Sequence, residues 1–384
     1  MEHIIYLDNN STTQIDPRVL EAMMPYLTNV FGNASSNHEM GSKALKGVNH
    51  ARNQVANLIG TSENEIIFTS GATEAINLAL KSVALNSKHK TPHIITVATE
   101  HPAVLDSCGF LQKAGVEITL LPVQKNGLVE IDILKKAIRE NTVLICIMHV
   151  NNETGVIQPI KEISSIAHEK NILFMTDATQ SFGKIEIDVN ELGIDILCFS
   201  GHKFHGPKGV GGLYFRTRRP YKVKINPQLH GGGHEGGIRS GTLNVPGIVG
   251  IGAAAEIAKN DMKINQKKIE PLKNLFEKEL LKINGSFVNG DIQNRIFNTS
   301  NICIPGVDAD AILAGLKNIC VSNGSACSSD SIFPSHVLTA MELSETDSYS
   351  SVRISFSKFN TENETKEAIL KIITIVKELK KLKK

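Results

Sequence analysis

Residues 172–212, ILFMTDATQSFGKIEIDVNELGIDILCFSGHKFHGPKGVGG, constrain the chain more than any other stretch. Two apolar runs, 172–176 and 194–199, have the length and flanks of buried parallel strands. A doubly wound sheet gathers its ligands just beyond the carboxyl ends of such strands. The first run delivers Asp177 and then Gln180. The second delivers Ser200, His202 and Lys203, followed by a loop held by Gly206, Pro207, Gly209, Gly211 and Gly212. An acid, a lysine and hydroxyl or imidazole donors at one sheet edge suit pyridoxal 5'-phosphate (PLP). The lysine would form the Schiff base, and the acid would keep the pyridine nitrogen protonated. Alone, Lys203 reads equally well as a surface lysine in a glycine loop; the two strand ends together argue against that.

Composition narrows the function classes. A chain of 384 residues can bury a substantial core and is expected to form two domains. A formal net charge of only +2 gives no reason to expect nucleic-acid or membrane binding. No apolar run approaches transmembrane length, and MEHIIYLDNN lacks the features of a secretion signal. The cysteines (Cys108, Cys146, Cys198, Cys303, Cys320, Cys327) show no CxxC pair and no zinc spacing. Cys146 and Cys198 fall inside apolar runs and read as small core residues, so a reducing cytoplasm is expected. His230 and His234 lack an HExxH spacing, and no metal is expected.

Tyr6–Thr13 reads as a short strand running into a polar turn, after which Asp16 caps a helix with Pro17 in its first position. Residues 31–41 are too rich in Gly, Asn and Ser for regular structure. Leu45, Val48, Val55 and Ile59 share a helical face that Gly60 ends. A strand at Ile66–Thr69 turns into a helix beginning near Ala72, where Gly71, Ala72 and Thr73 form a credible phosphate cradle. The strand Ile94–Ala98 leads to His101, and Val143–Val150 leads to Asn152. A long helix is expected from Ile248 to about Ile283, then a strand over Thr299–Ile304 and a helix over Asp308–Leu316. Residues 322–331 are small and polar, predicting an exposed loop that carries Cys327. Arg353 lies in a strand of alternating pattern, and its guanidinium matches a carboxylate in fork geometry.

FGNASSNHEMG, TEHPAV, DATQ, SGHK, RSGT, NGSAC and SSVRIS follow one another in an order that resembles the cysteine desulfurases. These PLP enzymes form part of aminotransferase class V, and the cysteine loop resembles that of the IscS/NifS-like branch. The resemblance implies an α/β fold of PLP-dependent fold type I. A large domain over 16–258, with a mostly parallel central sheet flanked by helices, would be joined by a smaller α+β domain from 1–15 and 259–384. It implies a cofactor site of Ala72, Thr73, His101 (stacked on the ring), Asn152, Asp177, Gln180, Ser200, His202 and Lys203. Thr242 would reach the phosphate of the partner subunit in a homodimer. Asn152 and Arg353 would bind the substrate carboxylate. Lys203, Cys327 and His101 would be catalytic, converting L-cysteine to L-alanine with the sulfur left on Cys327 as a persulfide. A sulfur-acceptor protein would follow, serving iron–sulfur assembly, tRNA thiolation or DNA phosphorothioation. Ala34, Gly236 and Glu342 depart from the usual proline, arginine and glycine. Another class V enzyme (an aminotransferase or kynureninase-like hydrolase) stays open, though it needs no cysteine loop, and so does a PLP-retaining partner scaffold, which turnover of cysteine to alanine would separate. A P-loop reading of GPKGVGG fails because no Ser or Thr follows a GK pair.

Overall fold

The computed structural model describes residues 3–323 and 334–382; Cys327 lies outside the described residues. Seven strands build the central sheet. In spatial order they are Ile66–Thr69, Gly211–Phe215, Ile196–Ser200, Leu173–Asp177, Thr142–Cys146, His93–Val97 and Glu117–Leu121. Gly211–Phe215 pairs antiparallel with both neighbours, and all other pairings are parallel. This is the mostly parallel α/β sheet the apolar runs predict.

Those runs are continuous because both faces are covered. Ile67, Ile94, Leu144, Cys146, Met175, Ile196 and Cys198 face a core shared with helices Ala72–Leu85 and Pro102–Lys113. Ile66, Phe68, Ile95, Ile145, Phe174, Leu197 and Phe199 face the opposite core, with helices Glu39–Leu58, Ile160–Glu169 and the first half of Val245–Leu280. Adjacent residues thus alternate between two apolar layers instead of between core and water.

Helix Val245–Leu280 links this body to a second core. Its first half carries Ile248, Ile251, Ala254 and Ala255 into the first core, and its second half carries Ile269, Leu272, Phe276 and Leu280 into the second. That second core also takes Ile5 and Leu7, because strand Ile5–Tyr6 pairs in parallel with Ile319–Cys320. A small antiparallel sheet of Phe287–Val288, Thr299–Cys303 and Ser351–Ser355 lies over it, with helices Ala309–Leu316 and Glu362–Leu382.

Four local expectations are corrected. The strand expected over 143–150 ends at Cys146, although Ile147 and His149 still donate to Met175 O and Asp177 O. The loop expected to reach 41 ends earlier, since His38 caps a helix that already contains Met40 and Gly41. Leu45 is 42% exposed; the helix buries Ala44, Gly47, Val48, Ala51 and Val55 instead. Small residues allow close approach there, and a Cβ on Gly252 of the facing helix would come 2.5 Å from Ala51. Strand Ser351–Ser355 does not alternate but is buried on both faces. Glu342, standing where a glycine is usual, adopts φ +62° just past helix His336–Ala340, a left-handed stop that any Cβ makes costlier.

Candidate active site

Five parallel strands end at one edge of the sheet and surround a cavity of about 570 Å³. Ala72, Thr73, His101, Asn152, Asp177, Gln180, Ser200, His202, Lys203 and Arg353 all line it. Thr242 does not: it sits on the exposed segment just before helix Val245–Leu280.

Lys203 ends the short helical turn Gly201–Lys203 that follows strand Ile196–Ser200. The turn needs its glycine, since a Cβ on Gly201 would lie 2.9 Å from Pro207 O. Lys203 Nζ donates to Asn10 O at 2.8 Å and to Ser11 O at 2.7 Å. His202 Nδ1 lies 3.1 Å from Thr12 Oγ1. Burial, then the charges of Lys203, Lys208 and Lys184, push the His202 imidazole down to about 4.

Asp177 closes the neighbouring strand, 4% exposed, with Oδ1 accepting from Thr179 N at 2.9 Å. Behind it lies Glu100, fully buried, with Oε1 accepting from Met148 N at 2.5 Å and Oε2 unpartnered. Burial and then the charge of Asp177 push its carboxyl well above the usual range. Gln180 donates from Nε2 to Asn10 O and accepts at Oε1 from Lys184 Nζ, both at 2.9 Å. Burial, then the charges of Lys203 and Arg353, push Lys184 down to about 7.

His101 caps helix Pro102–Lys113, its Nδ1 accepting from Ala103 N at 3.1 Å. Burial lowers its proton affinity, the charge of Asp177 opposes this, and Lys203 and His336 reinforce it. The ring is therefore held neutral, with its orientation set by the helix end. Asn152 follows Asn151, whose Oδ1 accepts from the amides of Glu153 and Thr154, each at 2.9 Å, and so fixes the turn. Asn152 Oδ1 is buried without a partner. Arg353, 3% exposed, pairs with Asp8 at 2.7 Å.

The residues present fit PLP. Helix Ala72–Leu85 opens onto the cavity without a side-chain cap, and a Cβ on its N-cap Gly71 would meet only Ser200 Oγ, 3.7 Å away. Its first N–H groups are thus open to an anion. An amine, a buried carboxylate and an unpartnered amide oxygen share the same cavity.

Sequence reasoning missed one wall. Residues 8–13 read only as a polar turn, yet they join the Lys203 loop to the Arg353 strand. Thr13 N donates to His202 O, and Asn9 Nδ2 donates to Ser355 O at 2.8 Å. Asn10 Nδ2 donates to Asn152 O at 3.1 Å, which closes that side of the cavity. The density of Asn, Ser and Thr in DNNSTT was the available signal.

Comparison with known proteins agrees with this arrangement. The family model described as Aminotransferase class-V matches residues 5–367. The chain is 46% identical over 383 residues to "Cysteine desulfurase IscS" of Rickettsia bellii (strain OSU 85-389), covering 98% of this chain and 92% of that protein. A solved "NIFS-LIKE PROTEIN" superposes with a TM-score of 0.91 at 38% identity, covering 97% of this chain and 99% of its own. A second solved structure, "SspA in complex with cysteine", gives 0.82 at 38% identity, covering 93% and 100%. The chain belongs to the aminotransferase class-V family, on its IscS/NifS-like cysteine desulfurase branch.

Proposed function

We propose that this protein is a PLP-dependent cysteine desulfurase, converting L-cysteine to L-alanine and passing the sulfur through Cys327 to an acceptor protein. The observation that carries the reading is the meeting of Lys203, Asp177 and Arg353 in one cavity at the carboxyl ends of the parallel strands. The similar SspA, solved in complex with cysteine, supports the substrate.

On this reading Lys203 would hold the cofactor covalently, and Asp177 would keep its pyridine nitrogen protonated. Ala72 and Thr73 would receive the phosphate at the open helix end, Ser200 and His202 would add donors, and Thr242 would come from a second copy. His101 would stack on the ring, and Gln180 and Asn152 would complete the cofactor site. PLP, when bound, supplies an electron sink for the substrate's Cα–H bond. Arg353 and Asn152 orient the carboxylate, and Lys203 takes the Cα proton and later returns one. Cys327 acts as a thiolate: its sulfur bonds to the substrate sulfur as the C–S bond breaks, so one thiol and L-cysteine yield one persulfide and L-alanine, with no outside oxidant. Residues 16–258 would hold the cofactor, and 1–15 with 259–384 would form the smaller domain. The sulfur goes on to iron–sulfur assembly, tRNA thiolation or DNA phosphorothioation.

The other cysteines support Cys327 as the nucleophile. All five among the described residues have thiols pushed up by burial, Cys108 and Cys303 to about 12, so none is poised as a thiolate. Brief exposure to L-cysteine should add one sulfur atom, by mass spectrometry, to the peptide carrying Cys327. Cys327→Ser should lose persulfide and alanine together while still binding PLP. Sulfur found on Cys320 or Cys303 would reassign the nucleophile, and alanine formed with no persulfide would sink the mechanism.

A further inference from the structure

Arg353 brings five N–H bonds to the cavity wall. Both hydrogens of Nη2 are engaged, on Asp8 Oδ1 at 2.7 Å and on Ser11 Oγ at 2.8 Å. Nη1 donates to Asn152 O at 3.2 Å, and Nε is buried without an acceptor. A carboxylate binds a guanidinium best through two parallel N–H bonds, pairing Nη2 with either Nε or Nη1. Each pairing needs a hydrogen of Nη2, so two-point capture requires one occupant to leave.

Asp8 is poorly suited to leave, because its charge compensates a guanidinium that is only 3% exposed. Ser11 is neutral and half-buried, and its hydroxyl can rotate to another acceptor. Ser11 also accepts Lys203 Nζ through its carbonyl, at 2.7 Å. One residue therefore touches both groups that, on the proposed reaction, meet the two ends of an α-amino acid. We propose that the Ser11 hydroxyl is a resting ligand of Arg353 that the substrate carboxylate displaces, so that residue 11 sets how tightly the site takes a carboxylate. This rests on the desulfurase reading only for the identity of the amino acid.

The test is Ser11→Ala in the full-length, PLP-loaded protein, titrated calorimetrically with L-alanine, which has the same carboxylate but no sulfur to transfer. Removing the competitor should tighten binding by about three- to tenfold, the worth of one net hydrogen bond. The gain should appear in KM for L-cysteine, read apart from kcat. Binding of 3-mercaptopropionate to cofactor-free protein should tighten likewise, whereas cysteamine, which lacks the carboxylate, should bind as it does to the parent chain. Unchanged or weaker carboxylate binding overturns the proposal and makes Ser11 a support for Arg353, as does an equal gain with cysteamine. Ser11→Gly removes the same hydroxyl and repeats the test should alanine disturb the turn. Carboxylate tightening without any turnover of L-cysteine would count against the desulfurase reading and uphold this one.

Discussion

The two walls of the cavity are built on different principles. On the sheet wall, Asp177, Ser200 and Lys203 arrive at the ends of strands whose pairing is fixed by backbone ladders and two apolar layers. Their positions follow from main-chain geometry, and each side chain needs few partners. On the opposite wall, residues 8–13 and strand Ser351–Ser355 add a set of side-chain bonds to a single backbone bridge. Asp8 and Ser11 grip Arg353, and Asn9 and Asn10 grip residue 355. A sheet edge can therefore lose a functional group and keep its shape, whereas a polar clasp cannot lose a charge without cost.

Three substitutions sharpen that contrast. Lys203→Ala should cut alanine production on the order of a thousandfold or more, because on the proposed reaction one group is both the attachment point and the base. Circular dichroism and the urea midpoint should barely move, since the side chain's bonds run to two backbone carbonyls. Borohydride reduction should then fix cofactor to no peptide; recovery of cofactor on another lysine would show that the attachment point is misassigned.

Asp8→Ala should act in the reverse sense, costing about 3 kcal/mol of stability by leaving the buried Arg353 charge uncompensated. Urea unfolding measures this, and an unchanged midpoint would mean the clasp contributes nothing to the fold.

A third effect, seen only as a dependence on pH, concerns Lys184, whose Nζ donates to Gln180 Oε1. Its folded-state proton affinity is lowered to about 7 from the ordinary lysine value of 10.5, so between these pH values the unfolded chain binds more protons. This lysine therefore makes stability rise with pH from about 7 to 10.5, and its penalty is fully present below 7. Lys184→Met should flatten that rise, read as urea midpoints at pH 7 and pH 9.5. Parallel slopes in parent and variant would remove Lys184 as the cause.

Legibility followed the same division. Asp177, Ser200 and Lys203 could be read because buried parallel strands announce themselves as apolar runs, and the residue after each run must lie at the shared edge. Gly60, at φ +69°, stopped its helix where a glycine was expected to. Leu45 misled because helical periodicity reports which residues share a face but not which face a neighbouring helix covers. Glu100 was passed over beside His101, since a carboxyl buried behind a strand end looks in sequence like any acid in a turn.

Local order and chemistry were thus determined by the sequence itself: where strands end, where a helix opens toward an anion, and which lysine and acid stand at the shared sheet edge. Only the tertiary structure decided what spans long separations. That Asp8 and Ser11 would meet Arg353, more than 340 residues away, follows from strand Ile5–Tyr6 pairing with Ile319–Cys320 and from the bridge of Asp8 to Ser355. No period or motif encodes such a meeting. It arises when two polar segments, each unable to satisfy its own donors and acceptors locally, are brought together by the burial of Ile5 and Leu7 in a common core.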